Sequence, residues 1–175
     1  MSLIITYIIS FTLGIISGRY AYTISDYSIQ IFNYIMLAIP SFIAGVFAIF
    51  FFAFQLNLFP FQGSVDINVQ EGTLSYYINK IYHTILPAAT LGLLSTAGYI
   101  QYLRNDIIEN SQKDYVLTAQ SKGLSTNRIY IKHILRNSLI PIITFLGADI
   151  VSILGGAVIT ETIFSCLLYT SDAAD

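Results

Sequence analysis

Four long apolar runs, separated by polar stretches, organise the chain. The first, Leu3 to Gly18, ends at Arg19. The second, Ile31 to Phe54, is interrupted by Pro40 in the stretch LAIPSF. Proline lacks an amide donor and clashes with the preceding turn, so a kink is predicted near Ala38 to Ser41. The third run is Ile81 to Leu103, with His83 and Pro87 in its first turns and small residues at Gly92, Ala97 and Gly98. The fourth is Leu139 to Thr160. Each approaches the about 20 residues that a helix needs to cross the hydrocarbon core. The pattern predicts an all-α, polytopic membrane protein with about four transmembrane helices. The intervening polar stretches are 19–30, a loop over 55–80 punctuated by Pro60, Gly63 and Gly72, and the segment 104–137.

Composition agrees with that pattern. The chain is 55% hydrophobic and only 10% charged, with a mean hydropathy of +0.68, whereas soluble domains carry about 25% charged residues. Its single cysteine, Cys166, excludes an internal disulfide framework and a multi-cysteine metal site. Charge placement says more than the net charge of -2. Six of the eight Lys and Arg residues (Arg104, Lys113, Lys122, Arg128, Lys132, Arg136) fall in 104–137, against Lys80 alone in 55–80. The positive-inside rule therefore puts 104–137 in the cytoplasm and 55–80 outside. Counting back through the spans places the N-terminus outside. The first run lacks the basic flank and small-residue cleavage site of a signal peptide, so at least one further helix is expected upstream and the chain is read as a fragment.

Small and polar residues inside the runs mark candidate contacts. Gly14 and Gly18 form a GxxxG that either admits a close helix neighbour or is incidental. Ala148, Ser152 and Gly156 make a stripe at spacing four, read as a close helix contact. Asp149, near mid-span, is costly unless it faces the bundle interior or a wet cavity; it is either a pathway-lining residue or a hydrogen-bonded interhelical anchor. His83 and His133 read as structural rather than as a proton relay. No second His or Cys stands at ligand spacing, so no metal is expected. Ser95, His83 and Asp149 lack any motif that would orient them as a hydrolase. There is no GxxxxGK[ST], so nucleotide chemistry would have to come from a partner, and no cofactor is expected.

The segment 104–137 divides into two expected helices. Asp114 is placed to cap the first, Tyr115 to Lys122, with Gly123 as its left-handed stop. Ser125 is placed to cap the second, Thr126 to Asn137, which leads into the membrane near Pro141. Arg128, Lys132 and Arg136 recur every four residues, so they would share a face and meet lipid phosphates or a protein partner.

The run DYVLTAQSKGLSTNRIYIKHILRNSLIPIIT resembles the EAA-type cytoplasmic loop of ABC-transporter permeases, in the variant of the oligopeptide, dipeptide and nickel uptake group. The matching positions are Asp114, Tyr115, Val116, Thr118, Ala119, Lys122, Gly123, Leu124, Ser125, His133, Leu135, Arg136, Asn137, Leu139 and Pro141. LAIPSF around Pro40, LNLFPFQG at 56–63, ILPA at 85–88 and GGAVITETIFS at 155–165 resemble further pieces in the same order, so the likeness runs from about Leu13 to Ser165. Leu117 stands where the general motif has a glutamate. The tail, CLLYTSDAAD, departs from the family's Pro-Gly turn and further span, and Cys166 to Asp175 is read as foreign or frame-shifted sequence.

The resemblance implies a partial transmembrane domain over 1–165, with spans at about 3–18, 31–54, 81–103 and 139–160 and a coupling segment at 104–137. It implies a multi-pass subunit of a bacterial or archaeal inner membrane that forms the translocation pathway of an ATP-driven importer. The cargo would be di- or oligopeptides, alternatively nickel or another small solute. An intramembrane enzyme and a membrane scaffold are more remote alternatives. Implied partners are a second permease subunit in a hetero- or homodimer, two cytoplasmic ATPase subunits, an extracellular solute-binding protein and the lipid bilayer; nucleic acid is not among them. Tyr115, Val116, Thr118, Ala119, Lys122, Gly123 and Leu124 would couple to the ATPase, their apolar face seated in its groove. His133, Arg136, Asn137 and Pro141 would support that segment. Pro40, Asp149, Ser152 and Gly156 are candidates for pathway lining or helix packing.

Overall fold

In a computed structural model of the chain, residues 1–60, 63–66, 69, 72–153 and 163–164 are described, with side chains up to 151 in the last long helix. Among them every regular element is helical. The axis of the structure is α4 (Leu74–Ser111), 38 residues long. At 1.5 Å per residue it measures about 57 Å, well beyond the about 30 Å of a hydrocarbon core, so it must project from the bilayer.

Against it lies α1 (Ser2–Arg19). The fit is made by small residues on one side of α1. Thr6 donates to the carbonyl of Gly92 at 3.0 Å and Ser10 to that of Thr96 at 3.4 Å. A Cβ on Gly14 would lie 3.0 Å from Leu103 Cδ2, and one on Gly18 would lie 2.8 Å from Ile107 Cβ. The GxxxG is thus a place of close approach between α1 and α4, as small residues allow in membranes. Gly92 returns the arrangement, its absent Cβ leaving room for Ile5. Gly98 is exposed with nothing near it.

The second apolar run forms α2 (Ile24–Ala38) and α3 (Ser41–Ala48), the latter continuing as a π-helical stretch, Ile49–Gln55. The break falls at Ile39–Pro40, but it is a corner of 97° rather than a kink. Ile39 is extended, as the residue before proline prefers. An apolar groove of about 380 Å³ opens inside the corner, between Met36, Ala44, Phe47 and Phe51 on one side and Thr90 and Leu94 of α4 on the other.

After α4 come α5 (Asp114–Ser121), α6 (Thr126–Ile129), a second π-helical stretch (Tyr130–Leu135), α7 (Arg136–Ser138) and α8 (Ile140–Ile153). From α6 onward these pieces follow end to end, so Thr126–Val151 acts as one 26-residue helix. It and α1 are long and apolar enough to cross a membrane, and the bent pair makes a third if it counts as one span. The third expected run, 81–103, lies inside α4, which is not apolar enough to join them; His83, Pro87 and its threonines dilute it. Among the described residues two or three helices thus stand as candidate spans by length and composition. The second part of the fourth run, 154–160, lies outside the described residues.

Candidate functional site

The segment expected to live in water begins inside the fold. Arg104 to Ser111 prolongs α4 instead of leaving it. Arg104 forks onto Asp26 of α2, Nε to Oδ1 at 2.8 Å and Nη2 to Oδ2 at 2.7 Å, and Asp26 is fully buried. Ser17 of α1 donates to Asp26 Oδ1 at 2.5 Å and Gln30 to Ser17 at 3.1 Å. The Tyr22 amide completes the set at 2.7 Å, which accounts for its φ of 65°: the left-handed turn aims the amide at the carboxylate. Charge-assisted, bidentate bonds of this kind are the strong ones. They join α1, α2 and α4 at one end of the bundle.

Next along the chain is Asn110, buried on the last turn of α4. Its amide nitrogen reaches the Asp106 carboxylate at 2.7 Å and Ser138 Oγ at 3.1 Å. Its oxygen accepts from the Tyr115 hydroxyl at 3.0 Å. Nearby, Glu109 pairs with Lys113 at 3.2 Å across one helical turn and holds that ammonium above its ordinary pKa; both ends are well exposed, so the pair adds little stability.

Helix α5 follows at once. Its N-cap position is Lys113, and Asp114 lies inside the first turn rather than capping it; there its charge still favours the helix N-terminus. The other end closes as a Schellman turn. Gly123 N–H bonds the Gln120 carbonyl at 2.9 Å and Leu124 N–H that of Ala119 at 3.3 Å, with Gly123 at φ +73°, a conformation that favours glycine. Val116 and Ala119 are buried in a cluster with Leu103, Ile107, Ile129 and Ile134, and Tyr115 and Leu124 pack on it. Val116 and Ala119, expected to face a partner's groove, are covered by this chain's own helices, and Tyr115 and Leu124 are half-buried beside them. What α5 presents outward is Leu117, 59% exposed, with Thr118, Ser121 and Lys122. Leu117, absent from the sequence-derived site, is its one large exposed apolar side chain.

The second expected helix is less regular than its sequence. Ser125 occupies the N-cap position without a side-chain bond. The turns at Tyr130–Leu135 are π-helical, and Arg128, Lys132 and Arg136 are all exposed. Tyr130 donates to the Ile15 carbonyl at 3.1 Å, while Arg19 donates to Asn127 and stands 4.9 Å over the Tyr130 ring. These contacts fasten the end of α1 to α6. His133 and Pro141 are half-buried; Arg136 and Asn137 are exposed.

Asp149 of α8 is hydrogen-bonded. Its Oδ2 accepts from Tyr7 of α1 at 2.5 Å and from Tyr99 of α4 at 2.6 Å, and these two rings lie 5.3 Å apart. A carboxylate in a span is thereby satisfied by two phenols. Pro40 makes the corner already described. The Ser152 side chain and Gly156 lie outside the described residues. Among the described residues no three His, Cys, Asp or Glu side chains gather as metal ligands.

Spanning helices tied by buried polar clasps, with a short helix held against them by one face, define a polytopic helical membrane protein. The chain belongs to the family of binding-protein-dependent transport system inner membrane components, whose profile matches residues 10–169. It is similar to the oligopeptide transport system permease protein AppB of Bacillus subtilis, 36% identical over 94% of this chain and 51% of that protein. It is 37% identical to the dipeptide transport system permease protein DppB of Lactococcus lactis over 74% of this chain and 38% of that one. With DppB of Escherichia coli K12 it shares 33% identity over 73% of this chain and 43% of that one. The chain spans about half the length of the curated relatives it matches.

Proposed function

We propose that this chain is part of a permease subunit of an ATP-driven importer of di- or oligopeptides in a bacterial inner membrane. It works with a second permease subunit, two cytoplasmic ATPases and an extracellular solute-binding protein. The family description supports a binding-protein-dependent transporter, and the relatives' names favour peptides over nickel as cargo. The bases in 104–137 support a cytoplasmic position for α5 and an outer one for the 55–80 loop.

The observation that carries the reading is the two-sidedness of α5. One side is locked into the bundle through Val116, Ala119 and Leu124, and the other holds Leu117 and Thr118 bare. Leu117, Thr118, Ser121 and Lys122 meet the ATPase; Tyr115, Val116, Ala119 and Leu124 transmit what it does; Gly123 closes the helix. Motion of α5 then reaches the rod Thr126–Val151 and tilts it, in an alternating-access cycle. His133, Arg136, Asn137 and Pro141 lie along that rod. Asp149, with Tyr7 and Tyr99, sets its register against α1 and α4. Pro40 shapes the pathway side of α2 and α3.

A Gly123→Val change forces a β-branched side chain into the left-handed region, which costs a non-glycine residue about 1–2 kcal/mol. In the full-length protein assembled with its ATPases, peptide uptake per ATP hydrolysed should fall about tenfold. A cysteine at Thr118 should crosslink to an ATPase subunit. Undiminished uptake by the valine variant, or no crosslink in an assembled complex, overturns the reading.

A further inference from the structure

Asn110 is a buried side chain that touches three of the moving parts at once. It belongs to α4, bonds Tyr115 of α5 and bonds Ser138 at the end of α7. Ser138 is itself fully buried and immediately precedes Leu139, the residue that joins α7 to α8. The orientation of the carboxamide is fixed by chemistry. Its nitrogen faces the carbonyl and the carboxylate of Asp106, at 3.0 and 2.7 Å, both of them acceptors only, and its oxygen faces a phenol that can donate. Turned over, it would set oxygen against two acceptors. Two N–H groups thus serve three acceptors, the Asp106 carbonyl and carboxylate and Ser138 Oγ, with one proton shared, while the oxygen serves Tyr115; none of these partners can be exchanged for water at a buried position without loss.

We infer that Asn110 is the positioning residue through which α5 moves the long helices, a direct side-chain route that bypasses the Gly123–Ser125 turn. This rests on the coupling role proposed for α5. A displacement of α5 pulls on the Tyr115 hydroxyl, and the same carboxamide passes it to α4 along its own backbone and to α8 through Ser138. The chain connection through Gly123 and Ser125 is exposed, and a turn there can absorb movement. The Asn110 link is short and largely buried, lies beside the apolar contacts of Val116 and Ala119, and is stiffer than that turn.

The test uses the full-length permease assembled with its partner permease and ATPases in proteoliposomes, reading peptide imported per ATP hydrolysed. Asn110→Ala removes the junction; Tyr115→Phe removes a single hydroxyl and keeps the ring in its cluster, so it carries the test should the alanine variant fail to assemble. Each should lower the ratio about three- to tenfold, the weight of a buried hydrogen bond. The double variant should fall no further than the lower single, because both cut one link. An unchanged ratio in either assembled single variant, or losses that multiply in the double, overturns the inference. Failure of the coupling role itself looks different: a cysteine at Thr118, in an otherwise unaltered complex, that crosslinks to no ATPase removes both readings.

Discussion

Replacing Arg104 with methionine is expected to cost about 3–5 kcal/mol of stability, the penalty for stranding one member of a buried ion pair. Asp26 is 0% exposed, and without the guanidinium it keeps only Ser17 and the Tyr22 amide as donors. Two donors satisfy some of the lone pairs but leave the charge unneutralised at a fully buried position. Arg104→Lys should lose less, since it keeps the charge but not the two-pronged fit. The decisive comparison is Arg104→Met against Arg104→Met with Asp26→Leu. Removing both charges should recover most of the loss. Denaturant unfolding of the full-length protein in mixed micelles reads this directly; equal stability of the single and double variants would show that Asp26 does not need Arg104.

The second large effect is expected at Gly18. A Cβ there would sit 2.8 Å from Ile107 Cβ and 2.9 Å from its Cγ2. The first of these atoms is fixed to the backbone, so a rotamer change cannot relieve the clash. Gly18→Val should cost about 1–3 kcal/mol and push α1 off α4 where Ser17 donates to Asp26, weakening that cluster too. Ile107→Ala in the same chain should restore part of the loss. A disulfide trapped between cysteines introduced at Ser10 and Thr96, formed when Gly18 is kept and lost when Gly18→Val is added, would report the separation. Gly18→Val protein as stable as the parent would mean that α1 and α4 are not in contact there.

What the sequence displayed and what it hid follow from the range of each interaction. The Pro40 break and the left-handed Gly123 are local matters of backbone sterics, each written in a few residues, whereas the GxxxG of Gly14 and Gly18 offered a close approach without naming Leu103 and Ile107 as the neighbours. The size of the Pro40 corner is not local either, because nothing in LAIPSF states where α3 will find its neighbours. Arg104 looked like one more base of a water-facing segment, since its partner lies 78 residues earlier. Asp149 showed its need for a donor but not the donors' names, for Tyr7 stands 142 residues away. The inward turn of Val116 and Ala119 was hidden for the same reason: an apolar side of a short helix shows that something covers it, not whether that cover belongs to the same chain. The π-helical turns had no signal at all, as YIKHIL is equally suited to an ordinary helix.

Those wide turns have a mechanical corollary. The stretch Tyr130–Leu135 stands between the attachment of α6 to α1 and the entry of α8. If it rewound to ordinary pitch and expelled one residue, everything beyond would swivel by about 100° and travel about 1.5 Å. Asp149 would then be carried round away from both phenols. The screw-like freedom stored in six residues is thus opposed by two hydroxyl groups far down the shaft.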